Sequence, residues 1–169
     1  DHRSPSLSTD EATVVDVCLD YLNRHPASIL AVLYATAPLR TANDIQNVFN
    51  LLSDQCHFAM AATLCERPMH QALSFDEGNV SPVFPELVNK RSDRVDTYCV
   101  DNGSTYIVQV KPFLQQKTFY GDSLHAYLMP TLRSIDIDTI EDFQWAMHQK
   151  KALLKPKLVE TRCFVSKRG

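Results

Sequence analysis

Two short apolar runs, each preceded by a helical stripe, constrain this chain more than any other feature of its sequence. SILAVLYA (28–35) and HFAMAATL (57–64) are continuously apolar and show no polar alternation. Such a run suits a strand covered on both faces, as in a parallel sheet. Between them, Ile45, Val48, Phe49 and Leu52 form a helical stripe behind Thr41, a ready cap. Ahead of the first run, Val14, Val17, Cys18, Tyr21 and Leu22 fall at helical spacing. They predict a helix over 10–24, capped by Thr9 or Asp10 and ended by His25-Pro26. Helix–strand–helix–strand with short links argues for a right-handed α/β fold.

The middle of the chain reads differently. Residues 71–86 look like two extended arms about a turn at Asp76-Glu77-Gly78-Asn79. Pro82 and Pro85 argue against a central strand, so this hairpin is expected at an edge or projecting from the body. STYIVQV (104–110) reads as a strand after a turn at Asp101-Asn102-Gly103, and 111–118 as a short helix. A last helix is expected from Ile140 to about Leu154, with Ile140, Phe143 and Met147 inward and Lys155-Pro156 as its stop.

With 169 residues the chain can build one domain with a real core. A net charge of −3 argues against a broad nucleic-acid surface. No apolar run approaches the ~20 residues of a membrane span, and the start DHRSPSLSTDEA is not a secretory leader. The five cysteines form no C-x-x-C and have no zinc-like spacing with the histidines. Cys56 and Cys65 bracket one predicted strand, which would hold them ~30 Å apart, too far for a disulfide. Reduced thiols in a cytoplasmic protein fit this pattern.

The four glycines form neither G-x-G-x-x-G nor G-x-x-x-x-G-K-S/T, so no Gly-rich phosphate loop is present. The chemistry has to be sought elsewhere. RSIDIDTIEDF (133–143) sets Asp136 and Asp138 two apart. In a strand they would share a face, with Ile135 and Ile137 pointing into the core. Paired carboxylates repel, and a divalent cation offsets that; Mg²⁺ accepts one or two carboxylates together with substrate phosphates. Thr139 then caps the next helix with Asp142 at N3, which explains Asp142 without a metal. Read alone, D-x-D-T is equally a solvent-facing strand end and a helix cap.

LYATAPLRTANDI (33–45), YCVDNGSTYIV (98–108) and RSIDIDTIEDF occur in this order. Together they resemble the acylneuraminate cytidylyltransferase family, and YATAP looks closest to its pseudaminic acid branch. The resemblance covers residues 3–148. It implies a Rossmann-like α/β nucleotidyltransferase, a three-layer sandwich that transfers CMP from CTP to a nine-carbon keto-acid sugar and releases pyrophosphate. By this resemblance Asp136 and Asp138 are the Mg²⁺ ligands and catalytic, with Arg40 of the TAPLR loop beside them. Tyr34, Thr36, Arg91, Asn102 and Tyr106 become sugar contacts, and Arg3 a cytidine contact. Core or turn roles remain open for Tyr34, Thr36 and Asn102. Residues 66–98 would form a projecting excursion that builds a homodimer, on a domain of residues 1–154 followed by a tail (155–169).

One family motif is missing. The N-terminal strand with its P-A-R-x-G-S-K loop, which grips the triphosphate, has no counterpart here. The expectation is therefore an N-terminally truncated chain with little transferase activity by itself. The alternative is a non-catalytic homologue serving as a sugar-binding or assembly module.

Overall fold

Strand β2 (Phe58–Leu64) is the centre of the sheet, and every residue in it except Leu64 is buried. The computed structural model describes residues 3–154, so the expected tail (155–169) lies outside the described residues. On one side β2 pairs in parallel with β6 (Leu124–Leu128). On the other it pairs antiparallel with β5 (Cys99–Gln109), which in turn pairs antiparallel with β1 (Ile29–Leu33). The order is β1-β5-β2-β6. Strands β1, β2 and β6 therefore run one way and β5 runs against them, in a mixed rather than all-parallel sheet.

Helices cover both faces. On one, Cys18 and Leu22 of α1 (Val14–Arg24) and Phe113 of α3 (Val110–Gln116) pack with Phe58, Met60, Tyr106 and Val108 of the sheet. On the other, Val48 of α2 (Ala42–Phe49) packs with Ala59, Ala61 and Ile107. Fully burying side chains such as Phe58, Phe113, Ile107 and Val48 stabilises the fold by ~1.5–3 kcal/mol each. The result is a mixed α/β fold with a parallel pair in its sheet, consistent with a Rossmann-like nucleotidyltransferase.

Four expectations need correction. The strand expected at 28–35 is not covered on both faces. Its residues alternate, with Leu30 and Val32 packed on the α1 side while Ile29 and Leu33 are exposed. The reason is its place at the sheet edge, with β5 as its one neighbour. Helix α1 begins at Val14, because Thr13 and Asp16 form a reciprocal capping box that neither Thr9 nor Asp10 can make with that spacing. Residues 134–139 are not a strand. The amide of Ile137 bonds to Thr36 O (3.0 Å), and the amides of Asp138 and Thr139 turn to Asp142 Oδ2 (3.2 and 2.9 Å). No ladder partner is left for them.

The fourth correction concerns α4 (Ile140–Leu154). Ala146 and Gln149 face inward, and Ile140, Phe143 and Met147 are exposed. Ala146 meets Leu39 and Ile135 in a small third cluster. The Thr139–Asp142 cap fixes where this helix starts, as expected.

Strand β5 is longer than expected and takes in Asp101-Asn102-Gly103. Its register jumps from Tyr106 opposite Met60 to Asp101 opposite Ala62. The residues between form a bulge, which re-aims side chains where the ladder is interrupted. The excursion contains the predicted hairpin: β3 (Leu73–Asp76) and β4 (Asn79–Pro82), turning at Glu77 and Gly78 with φ of 44° and 92°. Two positive φ values in a two-residue loop match the twist of a hairpin, and glycine accepts one readily. Every residue of both strands is exposed.

Candidate active site

Because β1, β2 and β6 run the same way, their carboxyl ends share one edge of the sheet with the amino-terminal half of β5. Ligands in open α/β sheets lie beyond such ends. Three segments converge there: the loop after β1 (34–41), the β5 bulge, and the loop from the 3-10 turn Thr131–Arg133 to α4.

Backbone and side-chain bonds knit the three together. Tyr34 N donates to Ser104 O (3.2 Å), joining the β1 loop to the bulge. Arg40 Nη1 donates to Tyr34 O (3.1 Å) and to Ser104 O (2.5 Å), clamping the same junction. Its Nε and Nη2 donate to none of the described residues. Burial lowers the guanidinium's pKa, against an opposing pull from Asp44. Asn102 Nδ2 donates to Ser134 Oγ (3.0 Å) and its Oδ1 accepts Ser104 N (3.3 Å), tying the bulge to the third segment.

The third segment has a deeper anchor. Arg133 donates from both terminal nitrogens to the two oxygens of Asp44, Nη2 to Oδ1 at 2.8 Å. Asp44 is completely buried and also accepts from Tyr127 OH (3.2 Å), Thr41 N (2.8 Å) and Thr41 Oγ1 (2.6 Å). Burial alone would raise its pKa. The hydrogen bonds from Arg133 and Thr41 outweigh it and hold the carboxyl at about 2. The sequence reading used neither residue of this pair. Asp44 sits at N3 behind Thr41 just as Asp16 sits behind Thr13, so the cap pattern hid its second role.

Asp136 lies where the bulge leaves room. Its Oδ2 is 2.0 Å from the point a Cβ on residue 103 would occupy, so Gly103 is required there both by this approach and by its φ of +61°. Its Oδ1 is buried and has no hydrogen-bond partner among the described residues. A carboxylate oxygen in that state carries an uncompensated desolvation cost. Asp138 is different: it is exposed, at the start of α4. Among the described residues no group of three His, Cys, Asp or Glu side chains is placed to hold a metal ion.

Tyrosines surround the cluster. Tyr106 is buried, with its ring 5.3 Å from that of Tyr34 and 5.2 Å from that of Phe119. Its hydroxyl donates to Asp101 Oδ2 (2.7 Å). Burial and then the Asp101 bond push its pKa far up. Tyr34 is raised by burial, then by Asp101, Cys18 and Asp136. Arg3, Tyr34 and Thr36 share a groove of about 380 Å³ with Val14, Val17 and Cys18 of α1. The structure thus gathers Arg40, Tyr34, Thr36, Asn102, Tyr106 and Asp136, with Arg3 and Asp138 at the margins. Arg91 stands apart on the excursion, paired with Asp93 (3.0 Å).

No family model matches the chain. Curated relatives do. An N-acylneuraminate cytidylyltransferase of Streptococcus agalactiae serotype V is 28% identical over 155 residues, covering 83% of this chain and 35% of that protein. A pseudaminic acid cytidylyltransferase of Campylobacter jejuni serotype O:2 is 30% identical over 151 residues, covering 85% of this chain and 65% of that protein. A CMP-N,N'-diacetyllegionaminic acid synthase of Legionella pneumophila is 28% identical over 162 residues, covering 88% and 66%. The chain therefore spans about a third to two thirds of the length of these relatives. Over most of its length the chain is thus 28–30% identical to proteins named acylneuraminate and pseudaminic acid cytidylyltransferases.

Proposed function

We propose that this chain carries much of a cytidylyltransferase that moves CMP from CTP to a nonulosonic acid of the sialic or pseudaminic type and releases pyrophosphate. The observation that carries the reading is Asp136: a buried carboxylate oxygen with no partner among the described residues, at the carboxyl edge of the sheet, in a chain whose relatives bear cytidylyltransferase names.

The donor set fits a hard divalent cation. The bare oxygen of Asp136 is an acceptor without a donor, and exposed Asp138 follows two residues later. With two protein carboxylates, the remaining ligands would come from phosphate oxygens and water. Mg²⁺ held there would neutralise phosphate charge as the sugar hydroxyl attacks the α-phosphorus.

The chain's own residues do the rest. Arg40 fixes the floor with one nitrogen and keeps its Nε and Nη2 donors for a phosphate or carboxylate. The groove shared by Arg3, Tyr34 and Thr36 would take the nucleoside. Asn102 and the hydroxyl end of Tyr106 would line the sugar side. These contacts hold the reactants in line, which is where most of the acceleration in such transfers arises.

Two structural parts of the reading go with it. The open edge of β1, with exposed Ile29 and Leu33, would accept the strand that carries the family's phosphate loop. The excursion would join two copies, since a lone two-stranded hairpin with exposed Leu73, Phe75 and Val80 is marginal in water. Arg91 rides on that excursion, and docking between copies would bring it to the sugar carboxylate.

The test is pyrophosphate release by the full-length gene product with CTP, Mg²⁺ and in turn sialic, pseudaminic and legionaminic acid. Metal-dependent release with one of them is expected; silence with all three overturns the reading.

A further inference from the structure

Asp101 is outside the D-x-D pair, and within YCVDNGSTYIV the sequence assigns it no role beyond a turn, yet the bulge of β5 is organised around it. Its Oδ1 accepts the amide of Gly103 (2.9 Å). Its Oδ2 accepts Tyr106 OH (2.7 Å) and the hydroxyl of Tyr120, from the loop after α3. Three donors, two from β5 and one from the loop after α3, satisfy this one carboxylate, which leaves it little capacity for a ligand of its own.

What it holds is the backbone that Asp136 leans on. A bulge lacks ladder bonds, so its conformation needs another constraint. Gly103 sits at φ +61° with Asp136 Oδ2 in the space its missing Cβ would fill. The bond from Gly103 N to Asp101 fixes that glycine, and the glycine fixes how closely Asp136 can approach. Tyr106 is anchored in the core, and Tyr120 is 63% exposed at the rim. Their hydroxyls hold Asp101 from the core and from the solvent side.

We propose that Asp101 is a positioning residue of the transferase site, setting the place of Asp136 through Gly103 under the control of Tyr106 and Tyr120. The inference rests on the reading of Asp136 as a working carboxylate.

The experiment uses the full-length enzyme and three variants, D101A, D101N and Y120F. Two readouts are taken on each: steady-state kinetics of CMP transfer, and hydrogen–deuterium exchange of the peptides covering 100–106 and 131–139. In D101A, kcat falls by about 100-fold, the scale of an ångström's misplacement of a reacting group. The KM for CTP stays within a few-fold. Exchange rises in both peptides and is unchanged in β2. D101N keeps an acceptor for Gly103 N and retains more activity than D101A; Y120F, outside the core, loses several-fold in kcat.

Wild-type kcat in D101A, or unaltered exchange over 131–139, overturns the inference. If D101A does not fold, D101N and Y120F decide by the same two readouts. A wild-type enzyme that releases no pyrophosphate overturns the functional reading instead, and the exchange arm still decides whether Asp101 holds the Asp136 segment.

Discussion

A fully buried carboxylate and a half-buried one sit close to the same loop and are treated in opposite ways. Asp44 is completely buried and receives Arg133, Tyr127 and Thr41 on its two oxygens. Asp136 has one oxygen pressed on Gly103 and the other sealed with no donor. A fold that needed both only for stability would satisfy both, because a bare buried acceptor costs free energy that a hydrogen bond would offset. On the proposed function, the difference separates a carboxylate that holds the loop from one that the loop offers to a ligand. Asp44 pins the loop through Arg133, and Asp136, three residues further on, is the group the pinned loop presents.

The contrast is sharpest if each is removed. Truncating Asp44 leaves Arg133 half-buried and unpaired, and takes the box from the amino end of α2. We expect D44A to lose about 3–5 kcal/mol of stability, the range for breaking a buried ion pair, measured by denaturant unfolding. A loss under about 1 kcal/mol would place Asp44 among ordinary surface pairs and break the comparison.

The next effect is on activity rather than stability. In the full-length enzyme, D136N is expected to lower kcat by about 10²–10³-fold, as for the loss of one electrostatic stabiliser of a transition state. Its melting temperature should stay level or rise, since the change removes a charge with a bare oxygen and no packing. Unfolding of D136N comparable to that of D44A would mean that both carboxylates are structural.

How much of this was legible beforehand follows from the range of the interactions. The cap at Thr41, the Thr139–Asp142 box and the hairpin turn at Glu77-Gly78 lie within a few residues, and sequence periodicity and turn chemistry located them. The Arg133–Asp44 pair joins residues 89 apart, and nothing local marks it. The direction of β5 was equally hidden, because an apolar run reads the same parallel or antiparallel. The stretch at 134–139 misled for a local reason: isoleucine favours a strand, but Asp142 captures the amides of Asp138 and Thr139 first. Asp101 read as a turn residue, and its ties to Tyr106 and Tyr120 appear only once β5 bulges. The exposure of Ile140, Phe143 and Met147 on α4 was missed because a helical stripe tells which residues share a face, not whether anything covers it.

The smallest expected effect tests the comparison by pH. The Asp44 carboxyl is held at about 2 in the folded chain, against an unfolded value of about 3.9. A depressed folded pKa means the unfolded chain binds the proton first as the solution is acidified. The stabilisation is therefore complete above about pH 5 and is lost as pH falls toward 2, by roughly 2–3 kcal/mol in all. Asp16 and Asp142 are lowered in the same direction by Thr13 and Thr139, so a residual slope persists without Asp44. Denaturant midpoints from pH 6 to pH 2.5 should fall less steeply in D44N than in wild type. Parallel profiles would show that Arg133 and Thr41 do not hold the Asp44 carboxylate against acid, and the two carboxylates would then differ only in their surroundings and not in their energetics.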